Sequence, residues 1–300
     1  MASKSLNVAK KDKFDEFYTK LADIEKELSH YKKHFKDKIV FCNCDDPEFS
    51  NFYFYFSKNF KNLGLKKLIA THYKKDGHSY KIEVISKINE HNKIDIIKTN
   101  LKQNGDFRSE EVIEILQQAD IVVTNPPFSL LREFVTQRFK YNKKFLIVAN
   151  INFATCKEIF PLIQENKMWL GYKSGSQEFE VPQSYKRDNS HGTKDGRKYA
   201  KFGNICWLTN LDIQKRHEKL SLYKTYNSND FPKYDNYHAI EVSKVNQIPF
   251  DYDGLMGVPI TFLYKYSPEQ FEIVGLDRYM DDNPHYAKGL ISMVKKHTLG

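Results

Sequence analysis

The chain has 300 residues, enough for one large domain or for a domain with an additional lobe. Its 47 Lys and Arg residues outnumber its 38 Asp and Glu residues, and the net charge of +9 suits a polyanionic partner. The first residues are polar and basic and no long apolar run follows. This pattern excludes a secretory signal and a transmembrane helix, so we expect a cytoplasmic protein that has no membrane partner.

The predicted elements alternate between strands and helices, after residues 1–13, which we expect to form a flexible basic arm. This alternation predicts an α/β fold with a mostly parallel sheet in residues 14–211, followed by a smaller lobe in 212–300. The predicted strands are 39–42, 67–71, 80–85, 94–97, 121–124, 144–149, 168–172, 205–209 and 257–263. The predicted helices are 49–60, 110–118 and 157–166, with helical spacing also at 21–31 and a helix that starts at Ser129.

Four cysteines, Cys42, Cys44, Cys156 and Cys206, are scattered over apolar segments. We expect reduced thiols in the core, because a chain of this length does not depend on disulfides. The Cys42-x-Cys44 spacing is one residue too tight for a usual zinc knuckle, and no second pair follows. The sequence therefore predicts no metal site.

The most specific signal is Asn125-Pro126-Pro127-Phe128, directly after the strand 121–124. Proline cannot extend a β-ladder, so the backbone leaves the carboxyl end of a buried strand stiffly, at the edge where open α/β sheets bind ligands. The Asn125 side-chain oxygen and the Pro126 carbonyl can each accept one N–H of an exocyclic amino group, and Phe128 can stack on a planar base. A rigid turn is the alternative, but this four-residue pattern favours catalysis.

Two further turns are predicted at the same edge. Asn43-Cys44-Asp45-Asp46-Pro47 follows the strand 39–42 and contains no glycine. Its carboxylates suit a cationic amino group or ribose hydroxyls, although they could instead cap the next helix. Gly105-Asp106-Phe107 precedes the helix 110–118, and a Gly-Asp pair alone is a common turn.

The motif at Asn125 resembles the catalytic motif of amino-methyltransferases that use S-adenosylmethionine. Longer stretches are similar to EcoRI-type site-specific DNA adenine-N6 methyltransferases, and the resemblance runs from about Asp15 to Glu272. It implies a Rossmann-like sheet of the class I methyltransferase type with a C-terminal DNA-recognition lobe. The stretches that carry the resemblance are 41–47, 62–70, 105–109, 232–237 and 257–263.

The resemblance implies S-adenosylmethionine as the cofactor and methylation of N6 of a flipped-out adenine in duplex DNA, with GAATTC as the suggested site. A cognate restriction endonuclease that acts separately on the same site is an implied partner, and we expect a monomer. RNA adenine methylation and a catalytically inactive nucleic-acid-binding module remain alternatives. A protein glutamine amide would fit the motif as well, but the basic segments disfavour a protein substrate.

The resemblance also implies roles for individual residues. Phe17-Tyr18-Thr19 would close over the methionine end of the cofactor, with a hydrophobic staple capped by Thr19 as the alternative. Asp106 would bind the adenine amino group, and Phe107 would lie against the adenine ring. The family usually has an acidic residue for the ribose at the end of the second strand, where this chain has Thr71-His72-Tyr73. The predicted catalytic residues are Asn125, Pro126, Pro127 and Phe128, and the predicted cofactor-binding residues are Phe17, Tyr18, Thr19, Asn43, Cys44, Asp45, Asp46, Pro47, Thr71, Asp106, Phe107 and Asn125.

Two basic regions are predicted to face DNA. Residues 173–202 are polar, rich in glycine and without clear periodicity, which predicts a loop that orders on binding, or else a solvated insertion. In the smaller lobe, basic and aromatic residues are interleaved, which suits phosphate and base-edge contacts. These residues are Lys215, Arg216, His217, Lys219, Lys224, Lys233, Tyr234, Asn236 and Tyr237.

Overall fold

The computed structural model describes residues 18–44, 46–87, 93–181, 183, 185, 190–234, 237–276 and 291–296. The chain divides into two compact units. The first contains the described residues up to Asn150 together with Lys173–Leu211, and the second contains Ile151–Tyr172 and the described residues from Asp212 onward. None of the described helices is long and apolar enough to cross a membrane.

The first unit is built on one large sheet, and the predicted α/β class is confirmed. Its strands are β1 (Tyr18–Thr19), β2 (Ile39–Cys42), β3 (Lys67–Thr71), β4 (Tyr80–Lys87), β5 (Lys93–Asn100), β6 (Ile121–Thr124), β7 (Lys144–Asn150), β8 (Trp169–Val181, from Lys173 onward in this unit), β9 (Ser190–Lys194) and β10 (Arg197–Thr209). Its helices are α1 (Leu21–Leu28), α2 (Asn51–Lys58), α3 (Glu110–Gln118) and α4 (Leu131–Lys140).

The strand order of this sheet is β1-β8-β10-β7-β6-β2-β3-β4-β5, with β9 beside β10. The centre is parallel, because β2 pairs with both β3 and β6, and β6 pairs with β7. From β2 the chain continues to β3 on one side and later to β6 on the other. The topological switch point, where open α/β sheets bind ligands, therefore lies between β2 and β6.

Local sequence explains how the helices begin beside this edge. The Ser50 side-chain oxygen accepts hydrogen bonds from the N–H groups of Phe52 and Tyr53 and so caps α2. Ser109 caps α3 in the same way. The cap of α2 is thus a serine rather than one of the acidic residues of the preceding turn, which leaves Asp46 available for other contacts.

The prediction of a loop for residues 173–202 is wrong, because β8, β9 and β10 occupy most of this segment. In β8, buried Gln177, Phe179 and Val181 alternate with more exposed residues, as a half-buried strand requires. Val181 packs with Tyr185 and Ala200 in a small hydrophobic cluster. This cluster supplies the apolar burial that holds the polar segment in strands.

The second unit contains helix α5 (Phe160–Gln164) and a five-stranded sheet of order β11-β12-β13-β15-β14. The predicted strand 257–263 is only partly present. The strand ends at Val258 because Pro259 has no N–H to donate, and a 3-10 helix, Ile260–Tyr264, follows. The strands are β11 (Lys233–Tyr234), β12 (Tyr237–Glu241), β13 (Met256–Val258), β14 (Phe271–Leu276) and β15 (Ile291–Lys295).

Candidate active site

The Asn-Pro-Pro-Phe motif leaves β6 at the edge where the parallel strands end. Pro126 is buried, whereas Asn125, Pro127 and Phe128 are half-buried. The chain then forms one turn of 3-10 helix, in which the Leu130 N–H donates to the Pro127 carbonyl at 3.0 Å, before α4 begins. The motif is therefore a stiff and partly exposed segment beside the switch point.

The turn after β2 is tied directly to the strand that carries the motif. The Thr124 hydroxyl donates a hydrogen bond to the carbonyl of Asn43, a fully buried residue. Cys44 has a φ of 70°, in the left-handed region that glycine usually occupies. The glycine-free turn thus achieves a sharp reversal of the backbone with a cysteine at the critical position.

Gly105 brings a third segment against the end of β3. Its φ is 80°, and a Cβ at this position would lie only 1.9 Å from the His72 carbonyl oxygen. The Lys74 N–H donates to the Asn104 carbonyl at 2.8 Å and holds the two segments together. Only glycine permits this approach, so Gly105 fixes the place of Asp106 at the edge of the sheet.

Asp106 and Phe107 are held by different partners. Arg108 binds the Asp106 carboxylate at both oxygens, with Nε 2.8 Å from Oδ1 and Nη2 2.6 Å from Oδ2. Burial alone would raise the pKa of Asp106, but the hydrogen bonds and charge of Arg108 outweigh burial and lower it. Phe107 is buried edge-on against Phe134, and its carbonyl accepts a hydrogen bond from Gln137. The segment presents an ionised carboxylate beside a fixed ring.

Thr19, Asn43 and Thr71, which are predicted to bind the cofactor, carry buried polar atoms that have no hydrogen-bond partner within the described part of the chain. These atoms are Thr19 Oγ1, Asn43 Nδ2 and Thr71 Oγ1. Asn43 follows β2 and Thr71 ends β3, so two of them lie at the carboxyl edge of neighbouring parallel strands. Buried polar groups in proteins are nearly always hydrogen-bonded. The residues therefore fit a polar ligand at this edge.

Gln177 is a candidate ligand contact that the sequence did not indicate. Both polar atoms of its side chain are buried without a partner among the described residues. In the antiparallel pairing of β1 with β8, Thr19 lies opposite Phe179, so Thr19 and Gln177 project from the same face of the sheet. The alternation of buried residues along β8 is the signal that could have revealed Gln177.

Arg138, on α4, is a second residue that sequence reasoning missed. It is fully buried, its guanidinium lies 3.9 Å from the Phe134 ring centre, and none of its nitrogens has a hydrogen-bond partner among the described residues. Burial lowers the pKa of Arg138 to about 9, and the nearby Cys44 thiol opposes this shift. A positive charge is therefore buried within electrostatic reach of the turn after β2.

Asp46 reaches the end of β3 from the turn after β2. Its Oδ1 accepts hydrogen bonds from the Tyr80 hydroxyl at 2.7 Å and from the Glu48 N–H at 3.0 Å, and its Oδ2 lies 3.6 Å from His72 Nε2. Burial and the hydrogen bond to Asp46 raise the pKa of Tyr80, so its hydroxyl remains a donor at neutral pH. Pro47, the next residue, is buried.

Some of the predicted site residues fall outside the part of the chain that the structure describes. Phe17 and Asp45 are two of them, and the basic arm 1–13 is another such segment. The rest of the Phe-Tyr-Thr tripeptide forms β1. Asn51 Nδ2, in the first turn of α2, donates to the Thr19 carbonyl at 2.8 Å, which ties β1 to the helix that follows the β2 turn.

In the second unit, the first basic residues predicted to face DNA are engaged inside the unit. Lys215 Nζ donates to the Gly171 carbonyl at 3.1 Å. The Arg216 guanidinium lies 3.8 Å from the centre of the Trp169 ring and donates to Asn166, and burial lowers the pKa of Arg216. The charged groups of these two side chains bind other residues of the unit, whereas the sequence had suggested that they contact phosphate.

The remaining residues of this set differ in their surroundings. His217 binds Asp212 at 2.7 Å and Glu269 at 2.8 Å, and these hydrogen bonds raise the pKa of His217. Lys219 and Lys224 are exposed. Lys233 is exposed and Tyr234 is half-buried, whereas Asn236 and the side chain of Tyr237 lie outside the described part.

Comparison with known proteins gives a consistent result along almost the whole chain. The model of the family described as adenine-specific methyltransferase EcoRI matches residues 5–298. The type II methyltransferase M.EcoRI of Escherichia coli is 48% identical over 297 residues, which cover 93% of this chain and 91% of that protein. M.MgeORF184P of Mycoplasma genitalium and M.MpnI of Mycoplasma pneumoniae are 41% and 40% identical, each covering 89% of this chain and 84% of the relative. No solved structure gives a significant match. The chain belongs to the family of EcoRI-type adenine-specific methyltransferases.

Proposed function

We propose that the protein transfers a methyl group from S-adenosylmethionine to N6 of an adenine flipped out of duplex DNA. The observation that carries this proposal is the hydrogen bond from Thr124 to the Asn43 carbonyl. It joins the strand bearing the amine-binding motif to the turn after β2, at the switch point where α/β sheets bind ligands. A cofactor and an acceptor amine can therefore meet at one edge of the sheet.

The cofactor supplies an electrophilic methyl group, and the residues of the chain bind and orient it. Thr19, Asn43 and Thr71 offer buried polar atoms that need hydrogen-bond partners. Asp106 offers an ionised acceptor for an exocyclic amino group, and Phe107 offers an apolar wall beside it. Positioning of the two substrates is then the main source of the rate enhancement.

The target adenine must leave the duplex, because base pairing hides its amino group. The Asn125 carboxamide oxygen and the Pro126 carbonyl accept the two N–H groups and so favour a tetrahedral, nucleophilic nitrogen. The half-buried Phe128 ring stacks on the extruded base. A general base is not required for this step, because the amine proton leaves after the methyl group has been transferred.

Duplex DNA is held by exposed basic side chains on both units, in this proposal. In the first unit these lie on β9 and β10, where Lys194 and Lys201 are exposed, and in the second unit they include Lys219. Phosphate contacts of this kind release counterions, so affinity falls steeply with salt. We further propose GAATTC as the site, a monomeric enzyme, and a separate endonuclease that cleaves the same site.

The test is single-turnover transfer of labelled methyl to a duplex containing GAATTC. Asn125→Ala should lower the rate about a hundredfold or more, because it removes a polar contact that matters most in the transition state. Affinities for S-adenosylhomocysteine and DNA should change far less. Asn100→Ala, on the exposed end of β5, is the matched control and should keep the parent rate.

Other outcomes of the same assay contradict the proposal. Parent-rate transfer by Asn125→Ala would reduce the motif to a rigid turn. Transfer to RNA but not to the duplex would make the protein an RNA methyltransferase. DNA binding without any affinity for S-adenosylhomocysteine would indicate an inactive binding module.

A further inference from the structure

At the end of β3, Thr71 is followed by His72 and Tyr73, and none of the three is acidic. A carboxylate nevertheless lies there, because Asp46 reaches across from the turn after β2 to 3.6 Å from His72 Nε2. The parallel pairing of β2 with β3 brings the two segments together. The turn after β2 thus supplies a carboxylate to the end of β3.

Only one oxygen of the Asp46 carboxylate is fully used within the described part of the chain. Oδ1 accepts two hydrogen bonds, from the Tyr80 hydroxyl and from the Glu48 N–H. Oδ2 accepts none, because its distance of 3.6 Å from His72 Nε2 is too long for a hydrogen bond. The side chain of Asp46 is 22% exposed, so Oδ2 is open to a ligand.

Ser79 holds His72 in place. The Ser79 hydroxyl donates to the His72 carbonyl at 2.6 Å and lies 3.1 Å from His72 Nδ1. The ring is held in this orientation by stacking on Tyr80, with ring centres 5.1 Å apart.

His72 Nε2 and Asp46 Oδ2 are thus two polar atoms 3.6 Å apart at the end of β3. A hydroxyl can both donate and accept a hydrogen bond, so a pair of neighbouring hydroxyls suits both atoms. We propose that Asp46 Oδ2 and His72 Nε2 form hydrogen bonds with the two ribose hydroxyls of the cofactor, with Tyr80 and Ser79 as positioning residues. This inference rests on the proposed use of S-adenosylmethionine.

The neighbouring segment supports this assignment independently. Gly105 packs against the His72 carbonyl so closely that no side chain fits between them. Asp106 and Phe107, the proposed adenine contacts, thus follow directly after a residue that touches His72. The base and the sugar of a nucleoside are adjacent. The residues proposed to bind the base, Asp106 and Phe107, are likewise adjacent to those proposed to bind the sugar.

The experiment measures affinity for S-adenosylhomocysteine and for its 2′-deoxy and 3′-deoxy counterparts by calorimetry. The parent protein should bind at least one deoxy compound about ten- to a hundredfold more weakly, as expected for a lost hydrogen bond to a charged group. Asp46→Asn should bind the full ribonucleoside more weakly by a similar factor and lose most of the discrimination. His72→Phe, which keeps an aromatic ring for stacking, should lose the discrimination against the other hydroxyl.

Glu114→Gln is the control, because it makes a comparable change to an exposed carboxylate on α3 of the same unit. It should discriminate as the parent does. Each ratio compares the affinities of two compounds for the same variant, so a difference in stability between variants does not change the ratio. Equal affinity of the parent for all three compounds, or parent-like ratios in Asp46→Asn, would overturn the inference alone. No binding of S-adenosylhomocysteine by the parent would overturn the proposed function with it.

Discussion

Two polar regions of the molecule differ in how their side chains are satisfied. At the carboxyl edge of β2 and β3, Asn43 and Thr71 keep buried polar atoms without partners in the described part of the chain. In the basic run of the second unit, Lys215 and His217 have internal hydrogen-bond partners, and Arg216 donates to Asn166 through Nη2 while its Nε has no partner among the described residues. The sequence predicted a ligand-binding role for both regions.

The two regions differ in whether their polar atoms are already hydrogen-bonded within the protein. A buried polar atom without a partner costs free energy, and a fold keeps such an atom when a ligand completes it. A basic side chain that already binds carbonyls and carboxylates has little left to offer a phosphate. We therefore expect substitutions at the edge to change ligand affinity, and substitutions in the basic run to change stability.

The largest effect is expected for Gly105→Ala, which would place a Cβ 1.9 Å from the His72 carbonyl oxygen. Backbone strain and displacement of His72 should cost at least about 3 kcal/mol of the free energy of unfolding and abolish S-adenosylhomocysteine binding. Denaturant unfolding and calorimetry measure both. Gly203→Ala is the control, because its Cβ would meet open space. Parent-like stability of Gly105→Ala would mean that the two segments do not touch.

A matched pair of threonines tests the comparison directly. Thr209 donates to the Phe145 carbonyl at 2.6 Å and accepts from the Leu211 N–H, so Thr209→Val should lose about 1–3 kcal/mol of stability. Thr71→Val removes a hydroxyl that has no partner among the residues that the structure describes, so stability should be kept while affinity for S-adenosylhomocysteine falls about three- to tenfold. A loss of stability in Thr71→Val without a loss of affinity would reverse this interpretation.

The smallest effect concerns His217, whose hydrogen bonds to Asp212 and Glu269 raise its pKa above 6.5. A raised pKa in the folded state contributes stability that is complete below pH 6.5 and is lost as pH rises through the folded pKa. Because the side chain is 38% exposed, solvent screening limits the contribution to about 0.5 kcal/mol or less.

The measurement for His217 is the free energy of unfolding across this pH range. His217→Gln should lose the part of the pH dependence that the parent shows there. His238→Gln, an exposed histidine of the same unit, should retain it. A parent-like pH profile in His217→Gln would show that the two carboxylates do not stabilise the protonated ring.

The central strands could be predicted from sequence because parallel strands buried on both faces are continuous apolar runs. Ile121–Thr124 is such a run, and the two prolines after it fix where it ends. The segment 173–202 gave no such signal. Its alternation covers only a few positions, and its burial depends in part on Ala200, which is distant in sequence from Val181.

The site was predictable only as separate segments. Sequence identified both the turn with Asp46 and the unusual Thr71-His72 strand end, but their proximity follows from the pairing of β2 with β3. It likewise could not show that Cys44 takes a left-handed φ of 70°, because residues with a Cβ rarely adopt that conformation and cysteine carries no signal for it. Local patterns indicated which residues are unusual, and the sheet determined which of them meet.

The hydrogen bond from the Thr124 hydroxyl to the Asn43 carbonyl links the segments that are proposed to bind the two substrates. A displacement of the turn after β2 would therefore act on β6, the strand that carries the Asn-Pro-Pro-Phe motif. Thermodynamic linkage then makes the influence mutual, since any factor by which bound cofactor changes the affinity for DNA equals the factor by which DNA changes the affinity for cofactor. A single side-chain hydroxyl thus offers a route by which the binding of one substrate changes the affinity for the other, whichever arrives first.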